Sequence, residues 1–308
     1  MKRLLQILAG LVVLVVAAGA TIYFAFPQVI VDFVNNQYAN AAGLEKRTLT
    51  LDGYTVNYFE SAERGGKDTL VLVHGMGDDK NSFLQSAELL SKHYHLVLPD
   101  LAGHGENARD LDRDYSIDGQ STFLHDFLHA IDVTKFHLVG NSMGGHTSGA
   151  YAIKYPEDLN KLVLVNSAGL KIDDHVTYIG FGEDLESEEE FDVLLERLYY
   201  QVPDLPGPIK NLMMEQVNET NEFVDDVLIT SVKNGLYFNL KDDLSKIQAP
   251  TLVYYGIHDK VVLRNAAEYF ANNIPDAQLV TLENAGHVPQ MEVPNVVAED
   301  IHRFLAEE

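Results

Sequence analysis

Short apolar runs recur along the chain, and stretches with apolar residues at helical spacing separate them. Thr69-Leu70-Val71-Leu72-Val73, His95-Leu96-Val97-Leu98, Phe136-His137-Leu138-Val139, Leu162-Val163-Leu164-Val165, Thr251-Leu252-Val253-Tyr254-Tyr255 and Gln278-Leu279-Val280-Thr281-Leu282 mostly lack the polar alternation of a half-exposed strand. They read as strands covered on both faces. Helices are expected at about 83–94, about 117–131 and onward from position 142 to about 154. Asp52-Gly53, between Leu49-Thr50-Leu51 and Thr55-Val56-Asn57-Tyr58-Phe59, reads as the turn of a hairpin. The pattern predicts an α/β fold: a mostly parallel sheet with helices on both faces.

The alternation breaks at about 170 and resumes with the strand at 251. Between them the chain is helical and irregular, with Pro203, Pro206 and Pro208 clustered. Residues 170–244 are therefore expected to form a helical cap inserted between two sheet strands, with 45–169 and 245–308 making the core. Within the insertion, Ser187-Glu188-Glu189-Glu190 fits a capping box ahead of Phe191, Leu194, Leu195 and Leu198. Its acidic cluster lacks metal-ligand spacing and is expected to complement a helix dipole.

The N-terminus follows another pattern. Lys2 and Arg3 precede a stretch, 4–26, without a charged side chain, and Pro27 follows it. About 20 apolar residues suffice to cross a bilayer core of ~30 Å. Residues 1–26 are expected to be a membrane anchor, with a cleaved signal peptide as the competing reading, because Ala18-Gly19-Ala20 resembles a cleavage site. Tyr23 and Phe24 suit an interfacial aromatic belt. In either case Lys2 and Arg3 stay cytoplasmic, which puts the rest of the chain on the outer, periplasmic or extracytoplasmic side. Residues 27–44 are expected to be a linker.

Charge narrows the partners. The formal net charge of −24 disfavours nucleic acid and anionic lipid headgroups. With no cysteine in the chain, disulfides, thiolate nucleophiles and cysteine metal sites are excluded.

Gly140-Asn141-Ser142-Met143-Gly144 carries the candidate chemistry. A strand runs directly into it and a helix leaves it, the context in which a sharp turn presents a serine hydroxyl above a sheet edge. A hydroxyl needs a base. His287 lies in Glu283-Asn284-Ala285-Gly286-His287 and Asp259 in Gly256-Ile257-His258-Asp259, each just beyond a strand and so on the same edge as Ser142. Ser142, Asp259 and His287 are thus expected to form a catalytic triad. Met143 N–H and Met76 N–H are expected to hold the developing oxyanion, the glycines at 75 and 77 allowing close backbone approach. His74 and His104 are read as structural hydrogen-bonding residues, and His258 as incidental.

Val71-Leu72-Val73-His74-Gly75, Leu98-Pro99-Asp100-Leu101-Ala102-Gly103-His104-Gly105, the serine elbow and Asn284-Ala285-Gly286-His287 together resemble the signatures of the α/β-hydrolase superfamily over about 45–308. Tyr115-Ser116-Ile117-Asp118-Gly119-Gln120, Phe136-His137-Leu138-Val139-Gly140 and Tyr155-Pro156 through Asn166-Ser167-Ala168-Gly169-Leu170 resemble, more narrowly, membrane-anchored monoacylglycerol lipases and bacterial lipases with an N-terminal anchor. The resemblance implies a serine carboxylic-ester hydrolase acting on acylglycerols or related lipid esters without metal or organic cofactor, its cap covering an acyl pocket. The same elbow also resembles that of carbon–carbon bond hydrolases of aromatic degradation. That is the alternative within the fold; a non-catalytic membrane-anchored binding protein is the alternative outside enzymes.

Overall fold

The computed structural model describes residues 19, 21–170, 184–224, 227 and 240–307. Most of the expected anchor, and the stretches 171–183, 225–226 and 228–239 of the expected cap, lie outside them. Among the described residues, no helix is long and apolar enough to cross a membrane.

Among the described residues eight strands form one sheet: β1 (Leu44–Leu51), β2 (Tyr54–Ser61), β3 (Thr69–Val73), β4 (His95–Pro99), β5 (Phe136–Asn141), β6 (Leu159–Val165), β7 (Thr251–Gly256) and β8 (Ala277–Leu282). Their spatial order is β1-β2-β4-β3-β5-β6-β7-β8. The hairpin β1–β2 and the β2–β4 pair are antiparallel, and every other neighbour pair is parallel. The hairpin turns at Asp52 and Gly53, with φ of 49° and 81°. Positive φ at both central residues matches the right-handed twist of the flanking strands.

The near-continuous apolar strands are buried on both sides, as their pattern predicts. Val71 and Val73 face one core, which helices α3 (Ile117–Ala130), α4 (Met143–Lys154) and α7 (Arg264–Asn273) close with Phe127, Tyr151 and Phe270. Leu70 and Leu72 face the other, closed by α1 (Pro27–Ala41), α2 (Leu84–Leu90) and α9 (Pro294–Ala306) with Ala39, Leu84 and Ile301. A short helix α8 (Pro289–Glu292) precedes α9.

Two sequence readings change. Residues 27–44, expected as a linker, are mostly helix α1 followed by the first residue of β1. Pro27 does not end a segment; it opens one, at a helix position where its missing N–H goes unneeded. Helix α1 packs on α2 through Ala39, and Gln28 Oε1 accepts a hydrogen bond from Gln216 of the cap at 2.8 Å. The expected helix at 83–94 is shorter and preceded by a 3-10 turn, Lys80–Phe83, capped by the Asp79 carboxylate accepting from Asn81 N–H.

The insertion leaves after β6 and returns before β7, and Leu240 N–H to Gly169 O at 3.1 Å ties its two ends together. Its described helices are α5 (Glu188–Leu198) and α6 (Gly207–Phe223). Ser187 caps α5 by accepting from Glu190 N–H. Glu190 reaches one residue further than a capping box requires and accepts from Glu186 N–H at 2.7 Å.

The loop after β4 is braced by a buried ion pair. Lys80 Nζ lies 2.7 Å from Asp100 Oδ2, and Lys80 N–H donates to Oδ1 at 2.8 Å. Both side chains are sealed from solvent, so removing the cation leaves a buried carboxylate unpaired. Lys80→Met is therefore expected to destabilise the fold by about 3–5 kcal/mol. Urea denaturation of the full-length chain in detergent measures this; a change below about 1 kcal/mol would mean the pair is dispensable.

Candidate active site

Strand β5 ends at Asn141 and α4 begins at Met143, leaving Ser142 to make the turn alone. Its φ of 56° and ψ of −118° lie where a non-glycine residue is strained. Ser142 N–H donates to Val165 O, and Ser142 O accepts from His146 N–H and Ala168 N–H. This backbone ladder holds the strain in place. A side chain at Gly140 would lie 2.2 Å from Gly144 O, and one at Gly144 would lie 2.2 Å from His74 O. The turn can close this tightly only because both positions are glycine.

His287 follows β8 and Asp259 follows β7, and the two side chains meet. His287 Nδ1 lies 2.9 Å from Asp259 Oδ2, with both residues buried. Asp259 Oδ1 accepts from Val261 N–H at 2.7 Å and Val262 N–H at 3.0 Å. With its Nδ1 proton directed at Asp259, the ring leaves the Nε2 lone pair available. Ser142 and His287 line the same cavity, of about 210 Å³. Gly75, Met76 and Gly77 form part of its wall, and Met143, fully buried, occupies the first turn of α4 beside Ser142.

Sequence reasoning missed three braces. Asn166 follows β6 directly with a positive φ of 44°, donates through Nδ2 to Asp259 Oδ2 and to Gly286 O, and accepts from Gly256 N–H through Oδ1. Asn141 donates to His287 O at 3.0 Å, and Gln290 donates to Asn141 Oδ1 at 3.1 Å. Asn166 was findable by the rule that located the others: it is a polar residue at a strand C-terminal end, of a type that tolerates positive φ. Asn141 and Gln290 pair across the fold, and no local pattern announces that.

The neighbouring histidines serve as structure. His74 Nε2 accepts from Leu101 N–H at 3.0 Å while its Nδ1 faces Gly75 O at 2.7 Å, which fixes one neutral tautomer. His104 Nδ1 faces Ala102 O, and burial, with His74 nearby, pushes its pKa down to about 3. His258 is more than incidental: its ring stacks on Tyr200 of the cap at 3.8 Å between centroids.

The cap roofs the cavity with Phe191, Leu194, Leu195 and Leu198 of α5, Tyr199, and Met213 and Val217 of α6. Thr220, Asn221 and Asp78 add polar side chains to the lining beside Asn141, Ser142 and His287. The cap also touches the His287 loop directly. His287 N–H donates to Leu198 O at 2.7 Å, and the Glu292 carboxylate accepts from both Gly286 N–H and Tyr200 N–H at 2.7 Å. A Cβ at Gly286 would stand 2.8 Å from Leu198 O and from Tyr200 N, so glycine is what lets the cap settle there.

Comparison with known proteins agrees with this architecture. The family model described as "alpha/beta hydrolase fold" matches residues 68–205. Lipase 1 of Psychrobacter immobilis is 33% identical over 273 residues, covering 86% of this chain and 85% of that protein. Monoacylglycerol lipase ABHD6 of Homo sapiens is 28% identical over 315 residues, covering 97% and 94%. Among solved structures, a membrane phospholipase A described as a bacterial virulence factor superposes with a TM-score of 0.85 at 32% identity, covering 99% of this chain and 98% of that one. A meta-cleavage product hydrolase from Pseudomonas fluorescens shares the fold, with a TM-score of 0.74 at 23% identity. A similarity that runs through core and cap alike, on a sheet that turns into its helix at a strained serine, makes this chain a member of the α/β-hydrolase family.

Proposed function

We propose that the chain is a serine hydrolase that cleaves carboxylic esters of lipids, acylglycerols or their relatives, through an acyl-enzyme on Ser142. The observation that carries this reading is that Ser142 on its strained turn and His287 held by Asp259 open onto one cavity roofed with apolar side chains. The lipase names of the relatives at 33% and 28% identity support the lipid class over the carbon–carbon hydrolase alternative.

In this mechanism Ser142 Oγ attacks the ester carbonyl carbon while His287 Nε2 takes its proton. The carbonyl oxygen gains charge and is held by the N–H groups of Met76 and Met143. The tetrahedral intermediate collapses, the carbon–oxygen bond to the alcohol breaks, and His287 returns the proton to the departing alkoxide. Water, deprotonated by His287, then attacks the acyl carbon, the bond to Ser142 Oγ breaks, and His287 returns the proton to that oxygen as the fatty acid leaves. Asp259 keeps the imidazole in the required tautomer and stabilises its charged form. Asn166 acts one step back, by fixing the carboxylate of Asp259. Apolar side chains from α5 and α6 offer the acyl chain a dry surface, and flexible Met213 lets that surface adapt.

The N-terminal segment would hold this site at a membrane. Its uncharged run ends at Phe26 and leads into α1, and Phe26, Val29 and Phe33 are exposed. Such apolar surface suits a bilayer better than water.

Ser142→Ala and His287→Ala should each lower kcat on a soluble ester by at least ~10⁴-fold, with the double variant little worse than either single one. Steady-state kinetics with p-nitrophenyl butyrate decides this, and retention of more than a tenth of the activity by Ser142→Ala would remove it from the mechanism.

Val217→Phe should fill the cavity beneath α6. Since each methylene of the acyl chain contributes about 0.8 kcal/mol on burial, kcat/KM for a dodecanoyl ester should fall at least ~10-fold more than for the butyrate. An equal loss on both would assign the cap to stability rather than acyl recognition. A preference for an aromatic dienone acid over every ester tested would move the function to carbon–carbon cleavage.

Deleting residues 1–26 should release the protein from the membrane fraction and leave hydrolysis of dissolved butyrate ester intact. A truncated chain that still sediments with membranes would overturn the anchor.

A further inference from the structure

We propose that His125, His129 and Asp158 form a binding site for a divalent transition cation of the zinc class, separate from the hydrolytic centre. His125 and His129 stand one turn apart on α3, and their rings stack at 4.2 Å between centroids. Asp158 ends the short turn Pro156–Asp158 that leads into β6. His129 Nε2 lies 3.1 Å and His125 Nε2 3.9 Å from the same oxygen, Asp158 Oδ2. One ligand atom from each of the three residues lies within 4.8 Å of the others. Tetrahedral zinc with bonds of ~2.0–2.1 Å sets its ligand atoms about 3.3 Å apart, so small side-chain rotations close the set.

The surroundings fit a metal centre as well as the three ligands do. His125 Nδ1 lies 3.0 Å from Asp126 Oδ1. A carboxylate taking that ring N–H is the usual support of a metal-bound histidine. It directs Nε2 of His125 towards Asp158 Oδ2, which His129 Nε2 already approaches to hydrogen-bond distance, so a cation would take the place of that hydrogen bond. The Tyr151 hydroxyl donates to Asp158 Oδ2 at 2.7 Å and fixes the carboxylate from the core side. The His125 ring also lies flat on Tyr155, 4.0 Å between centroids, so little freedom is left to lose on binding. Nitrogen donors favour zinc and its neighbours over magnesium or calcium, which prefer oxygen throughout. The net charge of −24 draws cations to the surface generally.

The site is at the opposite edge of the sheet from the serine. Asp158 precedes β6, and Ser142 follows the neighbouring strand β5, which places them roughly 20 Å apart by strand rise. The cation would clamp the C-terminal turn of α3 to the start of β6 and so act on stability.

The test is titration calorimetry of zinc chloride into the full-length protein, stripped with a chelator and held in detergent micelles. One saturable site per chain is expected, unaffected by excess magnesium. Affinity should fall at least ~10-fold in Asp158→Asn and further in the His125→Gln/His129→Gln double variant. Wild-type butyrate hydrolysis by these variants reports that they remain folded. Zinc at 100 times its Kd should raise the folded-to-unfolded ratio about 100-fold in wild type and not in the double variant. No saturable heat at millimolar zinc, or an isotherm that the double variant leaves unchanged, would overturn the site.

Discussion

The backbone at Ser142 sets the terms for everything around it. A residue with a φ of 56° between a strand and a helix is costly unless its neighbours leave no alternative. Here Val165, His146 and Ala168 take up its backbone hydrogen-bonding groups, and the missing side chains of Gly140 and Gly144 let two layers of main chain close on the turn. The sheet order follows the same logic. β5 is central, with β3 on one side and β6 on the other, so the loops carrying Met76 and Asn166 both emerge beside the serine. A turn at the sheet's margin would have such a neighbour on one side only.

Polar groups this deep must be partnered, and the partners also aim them. Asp259 receives hydrogen bonds from two backbone amides, an asparagine and the histidine it orients. Asp100 likewise serves Lys80 twice and Glu106 once, stiffening the loop beneath the site. These networks replace water with fixed dipoles, the condition under which charge developing on an oxyanion is cheapest to stabilise. Their cost is that no member can be lost alone.

Much of this could be read from the chain. Apolar runs without alternation announced buried parallel strands, and Asp52-Gly53 announced its hairpin, because both patterns reflect local sterics. Ser142, Asp259 and His287 were expected on one sheet edge for a related reason: each follows a strand, and a strand's end fixes where its next residues emerge. What failed to show is relational. Pro27 looks identical whether it stops one segment or starts α1; the contact of Ala39 with α2 is what decides. Gln290 meets Asn141 only after the whole sheet is assembled. The cap's helix α5 was visible through Ser187 and its apolar spacing, but nothing in those residues says that Leu198 will deliver its carbonyl to His287.

That last contact has a consequence for timing. The backbone of 198–200 is bonded to the histidine loop through Leu198 O and, across Glu292, through Tyr200 N–H. Raising this end of α5 far enough to admit a bulky substrate would withdraw two of the ties that hold the imidazole's own loop. If His287 is the base, as proposed, lifting the roof would slacken its loop, which would still keep the bonds from Asn141 to His287 O, from Asn166 to Gly286 O and from the ring to Asp259. Such a coupling would link the width of the entrance to how firmly the histidine's loop is held.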